Sequence, residues 1–244
     1  MRKVTLLLAT LLAANMAIAD GHGHDNEFPF KYFLHNDLTT ENAQATLAGT
    51  RAFVETGVMS DRGVAVGLYA YSAAGAHPAS HMTMFAYPSA DALPGPDLFQ
   101  GSDAHIQYQS AMQGAGNQTV HSVLYKSVKE ILPADAGGKF KVFVNYYLSV
   151  SDPETYAATW LKLMKEVGVS DAYGIRQVVA GDSEGVTHYL WIGFESMADL
   201  ARGMDSLYTF DETAAAMETF AGIRQIKRTA ILTAAYESIT DTIE

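Results

Sequence analysis

Ser80-His81-Met82-Thr83-Met84-Phe85-Ala86-Tyr87 has a second version further along the chain, Thr187-His188-Tyr189-Leu190-Trp191-Ile192-Gly193-Phe194. Each opens with a hydroxyl residue and a histidine and continues as an unbroken apolar run. In both, a serine follows the histidine by eight positions and a leucine by twelve: Ser89 and Leu93, then Ser196 and Leu200. An offset of about 110 residues also sets Lys31-Tyr32-Phe33-Leu34-His35 against Lys141-Val142-Phe143-Val144-Asn145. Repeats this long are whole small domains rather than solenoid units. Met82, Met84 and Ala86 alternate with Thr83, Phe85 and Tyr87, and Tyr189 and Trp191 alternate with Leu190, Ile192 and Phe194. A strand apolar on both faces is covered on both.

The later copy shows the element order more clearly. Lys141 to Val150 reads as a strand, and Asp152-Pro153-Glu154 as a helix start with an N-cap and a first-turn proline. Tyr156, Trp160, Leu163, Met164 and Val167 then recur at helical spacing until Gly168 stops the helix. Ile175 to Ala180 and His188 to Phe194 form a hairpin around Gly181 to Gly185. A helical stretch from Met197 to Gly222, broken around Thr209 to Asp211, precedes a last strand from Gln225 to Tyr236. The earlier copy repeats this order from Lys31 to Val128, with Pro94-Gly95-Pro96 interrupting its second helical region. Strand, helix, strand, strand, helix, strand is the split βαβ of ferredoxin-like units, written twice. The fold class is therefore α+β: two ferredoxin-like βαββαβ repeats packed sheet to sheet as an intrachain α/β barrel.

On that order and repeat alignment, residues 31 to 237 resemble the dimeric α/β-barrel superfamily with both units fused in one chain. The resemblance implies company with cofactor-free monooxygenases of the antibiotic-biosynthesis type, lactone isomerases, small-molecule-binding stress proteins and haem enzymes such as chlorite dismutase. The fold does not choose among these activities.

Arg2 and Lys3, the apolar run Val4 to Ala14 and Ala17-Ile18-Ala19 together read as a secretory signal peptide, residues 1–19. The expected location is periplasmic or secreted. Residues 20–30 are read as a flexible His-containing N-terminus, 31–131 as the first repeat, 132–139 as a linker, 140–237 as the second repeat and 238–244 as a tail. Loss of Arg2 and Lys3 from the 16 basic side chains leaves 14 against 27 acidic ones, a formal charge of −13. Such a surface repels phosphate backbones and anionic lipid, so nucleic acid and, after signal cleavage, membrane are not expected partners. Homo-oligomers are compatible with this reading. With no cysteine, disulfides, thiolate metal sites and cysteine nucleophiles are excluded. There is no G-x-S-x-G, P-loop or dinucleotide motif.

The first repeat holds more histidine than the second and is the expected host of a pocket. His35, His121, Tyr69 and Tyr71 are candidate catalytic groups, since imidazole and phenol move protons. Asn145, His81 and His188 are candidate ligand-binding residues, although equal repeat positions for His81 and His188 favour a shared structural hydrogen bond. Met82 and Met84 read as core filling rather than a Cu(I) site. The leading reading is an exported protein that binds a small, largely apolar or aromatic molecule and acts as a cofactor-free monooxygenase or isomerase. It needs no cofactor, and haem is disfavoured because His188 is the one candidate axial ligand in the second repeat and has no motif around it. A competing class is copper or nickel binding: cleavage after Ala19 would expose Asp20-Gly21-His22, a nitrogen set suited to Cu(II) or Ni(II), with His24 beside it. The third is a structural or interaction module without a ligand.

Overall fold

The computed structural model describes residues 28–95, 102–133, 136, 138–182 and 184–238. Eight strands form one closed barrel: β1 (Tyr32–Thr39), β2 (Ala65–Ala73), β3 (His81–Tyr87), β4 (Gln118–Ile131), β5 (Val142–Val150), β6 (Tyr173–Ala180), β7 (His188–Phe194) and β8 (Arg224–Glu237). Around it, among the described residues, lie helices α1 (Ala43–Glu55), α2 (Asp103–Gly114), α3 (Pro153–Val167), α4 (Met197–Leu207) and α5 (Asp211–Ala221). The strand order is β1-β3-β2-β8-β5-β7-β6-β4. Each half thus supplies its own ferredoxin-like sheet, β4-β1-β3-β2 and β8-β5-β7-β6.

In an isolated ferredoxin-like sheet the fourth strand is an edge, but here β4 lies between β1 and β6. β4 is long enough to pair with β1 along its first part and with β6 from Leu124↔Ala180 to Ile131↔Tyr173. β8 does the same for β5 and β2, ending at Gly67↔Glu237. These two seams satisfy the backbone groups that two stacked sheets would leave open. Phe30, within the segment read as a flexible terminus, is buried in the barrel core, so packing begins before Lys31.

Local chemistry sets the helices. The Asn42 and Asp152 side chains accept from the backbone N–H groups of Ala45 and Thr155 and start α1 and α3. Gly168, left-handed at φ 57°, ends α3. The expected break in the second half falls between α4 and α5. In the first half the counterpart of α4 is a 3-10 turn, Ala90–Ala92, followed by Pro94 and Gly95.

The halves are packed differently. Counted from their helix caps, Trp160 and Thr50 are equivalent, as are Tyr156 and Thr46; from the paired histidines, Leu190 and Thr83 are equivalent. The second half fills its helix–sheet space with Tyr156, Trp160, Leu163, Met164 and Leu190. Trp160→Ala should therefore cost about 3–5 kcal/mol in urea denaturation. Thr50→Ala, which loses a hydroxyl bonded to the Thr46 carbonyl, should cost about 1 kcal/mol. Equal losses would contradict the asymmetry.

Candidate functional site

Strand alternation sends one set of side chains into the barrel and the other toward the helices. His35, Tyr69, Tyr71, His121 and Asn145 all face inward, on four different strands. The groups that organise them were not singled out from the sequence: Asp37, Glu130, Arg176, Trp191, Arg228 and Glu237.

At the centre, Arg176 on β6 donates from Nε to Glu130 Oε1 at 2.7 Å and from Nη2 to Oε2 at 3.2 Å. Trp191 Nε1 donates to the same Oε2 at 2.7 Å. The guanidinium lies 3.4 Å from the centre of the Phe33 ring, a cation–π stack. Its Nη1 is 3.0 Å from His35 Nε2. A guanidinium only donates, so His35 Nε2 accepts and the imidazole proton sits on Nδ1. Burial first, then the Arg176 charge, hold the His35 pKa well below its ordinary value, and the ring is neutral.

Toward one end, Tyr69 donates to Glu237 Oε1 at 2.6 Å. Burial pushes Glu237 up to about 7, against the pull of the Tyr69 hydrogen bond and Lys141. Glu237 and Glu130 are related by the offset that takes His81 to His188, as are Tyr69 and Arg176. The duplicated position thus holds a carboxylate–guanidinium pair in one half and a carboxyl–phenol pair in the other. Gly67 and Gly174, related in the same way, make room for both. A Cβ at Gly174 would come within 2.3 Å of Glu130 Oε2 and Trp191 Nε1, and one at Gly67 within 2.6 Å of the Tyr69 ring.

At the opposite end, Asp37 accepts from Tyr71 Oη at 2.8 Å and lies 3.0 Å from His77 Nε2, 3.4 Å from Arg228 Nη2 and 3.9 Å from His121 Nδ1. Burial would raise this carboxyl, but the His77 and Tyr71 hydrogen bonds and the Arg228 charge together hold it below its ordinary value. Tyr147, 3.3 Å from Tyr71 Oη, lies under the Arg228 guanidinium.

His81 and His188 lie on the other face of the sheet, away from this network. Their Nδ1 atoms sit 2.9 Å from Ser80 Oγ and Thr187 Oγ1, hydroxyls that also accept from the backbone N–H groups of Thr40 and Val150. The pairs tie each hairpin to the end of the neighbouring strand, and burial lowers His188 to about 4. Asp20, His22 and His24 lie outside the described residues. Among the described residues no cluster of three or more His, Asp or Glu is arranged to hold a metal ion.

Two cavities accompany these groups. One, of about 60 Å³, lies inside the barrel against Tyr69, Asn145, Arg176, Trp191 and Glu237, with Leu132 and Ala136 of the inter-repeat segment contributing to its wall. The other, of about 500 Å³, lies between the outer face of the first-half sheet and helices α1 and α2. Leu34, Phe53, Phe85 and Tyr108 form its apolar wall, while Asn36, Thr83, His105, Gln109 and Asn117 add polar atoms. The smaller is the better enclosed, but the larger alone has the volume of a site for an aromatic ligand. His105 on α2 is 7% exposed, and its Nε2 accepts from the Gln109 side-chain N–H at 2.9 Å. Burial lowers its pKa, so the imidazole is neutral.

The architecture is the dimeric α/β-barrel fold with both units in a single chain. No family model and no curated protein matches the sequence. Among solved structures, a candidate monooxygenase from Lactobacillus acidophilus NCFM is similar at 10% identity and a TM-score of 0.57, over 85% of this chain and 98% of that one. An anthrone oxidase-like protein is similar at 10% identity and 0.54, over 85% and 92%. A candidate chlorite dismutase is similar at 13% identity and 0.50, over 88% and 98%. The likeness to a candidate chlorite dismutase overturns the expectation that disfavoured haem. That expectation rested on His188, which is committed to Thr187 in a packed half.

Two substitutions test the inner network. Glu130→Ala would strand the buried Arg176 and the Trp191 N–H, and should cost about 3–5 kcal/mol in chemical denaturation. Glu237 holds its proton longer folded than unfolded. Its contribution to stability is therefore full below its ordinary value of 4.5 and is lost as pH rises through about 7. Relative to Glu237→Gln, the native protein should lose on the order of 2 kcal/mol between pH 4.5 and 8. A constant difference across that range would mean the carboxyl is solvated.

Proposed function

We propose that the protein is exported and binds a small, largely apolar or aromatic molecule in the first-half cavity between α1, α2 and the sheet, acting on it as a monooxygenase or isomerase. The observation that carries this reading is the contrast between equivalent positions. The second half closes its helix–sheet space with Tyr146, Trp160 and Leu190, where the first has Asn36, Thr50 and Thr83. A duplicated unit with bulky apolar residues at these positions in one copy and small polar ones in the other leaves room where a ligand would sit.

His105 is the proposed base. Its neutral imidazole stands beside the apolar wall of Leu34, Phe53, Phe85 and Tyr108, and Nε2, exchanging the Gln109 N–H for substrate, would remove an acidic C–H or phenolic proton to give a carbanion or phenolate. The likenesses to a candidate monooxygenase and an anthrone oxidase-like protein support an aromatic ketone or phenol as the class to try first. A second reading, haem in the same cavity, is supported by His105 as a single axial nitrogen. Bound there, haem would supply redox chemistry, and His105 would hold and orient it.

Anthrone is a suitable probe. Wild type should quench its fluorescence saturably, whereas Asn36→Tyr combined with Thr83→Leu, which restores second-half residues, should weaken binding at least 10-fold with an unchanged or higher melting temperature. Undiminished binding in that filled variant would remove the site. His105→Ala should keep anthrone binding and lose its oxidation by dissolved O2, in which one oxygen atom becomes the new quinone carbonyl and the other leaves as water. A Soret band on haemin addition that His105→Ala abolishes would decide for haem instead. Intact-mass measurement on exported protein should find Asp20 as the first residue.

A further inference from the structure

The cavity inside the barrel is separate from the groove and chemically unlike it. At about 60 Å³ it has room for about four to six waters at ~10–15 Å³ each, hence for a molecule of only a few heavy atoms. An aromatic ligand is excluded by size. Arg176 lines the cavity but is not available to an anion, since Glu130 takes two of its nitrogens and His35 and Met84 take the third. What remains uncommitted is acceptor chemistry. Asn145, 1% exposed, leaves Oδ1 with no hydrogen-bond partner. Glu237 has Tyr69 as a donor to Oε1, and among the described residues no cation lies within ion-pair distance of its carboxylate. The rest of the wall is largely aromatic, including Phe28, Phe143, Tyr189 and Trp191, whose rings present electron-rich faces.

A buried carboxylate, an unpartnered amide oxygen and a ring of aromatic faces around a few atoms' volume form a site for a small cation with N–H donors. We propose that the barrel interior binds a small protonated amine of the size of methylammonium or dimethylammonium, its N–H groups donating to Glu237 and Asn145 Oδ1 and its methyl groups against the aromatic wall. This site does not depend on the ligand of the first-half groove. It also gives a role to the duplicated carboxyl position: Glu130 keeps an internal cation, Arg176, and Glu237, facing Tyr69 in place of an arginine, takes an external one.

The test, run at pH 8 where Glu237 is ionised, is thermal unfolding and calorimetric titration of the full-length protein with methylammonium chloride, against sodium chloride at equal ionic strength, sodium acetate and phenethylammonium chloride. Methylammonium should raise the melting temperature saturably and give a one-site isotherm; the other three should not. Glu237→Gln, which keeps the Tyr69 hydrogen bond, should weaken binding at least 10-fold while its circular dichroism stays native. Asn145→Leu provides a second variant with the same expectation should Glu237→Gln fail to fold. Equal stabilisation by sodium chloride or acetate, or methylammonium binding that survives both substitutions, overturns the proposal. Loss of anthrone binding in the groove variant leaves this site untouched, so the two readings fail separately.

Discussion

The bidentate contact between Glu130 and Arg176 is the interaction around which the barrel interior is arranged. Closing eight strands into a barrel removes every sheet edge but encloses whatever the inner faces carry, and a guanidinium enclosed without partners would be prohibitive. Here both Glu130 carboxylate oxygens, the Phe33 ring and the His35 ring nitrogen meet one guanidinium, and the Trp191 N–H braces the carboxylate from its other side. The consequences extend outward. His35 is fixed in one tautomer, Gly174 must remain without a side chain, and β4 must run far enough past β1 to bring Glu130 against β6.

Duplication explains why the interior is so nearly symmetric and where the symmetry fails. His35 and Asn145, Tyr69 and Arg176, Met84 and Trp191, and Glu130 and Glu237 occupy corresponding places, yet one member of the last pair has a permanent cation and the other a phenol. On the outer face the same divergence runs through size: Asn36, Thr50 and Thr83 stand where the second half has Tyr146, Trp160 and Leu190. Two cavities of different chemistry thus arise from one duplicated layout, a roomy one of mixed lining outside the first-half sheet and a compact, largely aromatic one inside the barrel. The comparisons agree with the architecture and, at 10–13% identity, bear on the fold alone.

Much of the site was legible by period-two alternation. Met82 with Met84 and Tyr189 with Trp191 could be placed on one face, and His35, Tyr69 and Tyr71 emerge on that face as well. The charged partners were missed for a specific reason. Glu130 lies among exposed positions near the end of a long strand, where a carboxylate ordinarily reads as solvated. Glu237 is the last residue of its strand, and Arg176 sits in a segment whose outer end is exposed. A signal was present: Glu130 and Glu237 fall at one repeat position, and a charge duplicated on an otherwise apolar alternation is seldom ornamental. His105 gave less, because a single polar residue on a helix of weak amphipathic character looks the same whether it faces a cavity or solvent.

The sequence by itself determined the duplication, the order of elements in each half, the caps that start the helices and the face on which each strand residue falls. Those properties follow from local dihedral preference and from periodicity, which every short segment carries within itself. Only the tertiary structure decided that the two sheets join at both seams, that Glu130 finds Arg176 and Glu237 finds Tyr69, and that the hollow half is the first. Those outcomes depend on contacts between residues distant in the chain, where the length of a strand past its own hairpin and the volume missing at an equivalent position have no local signature.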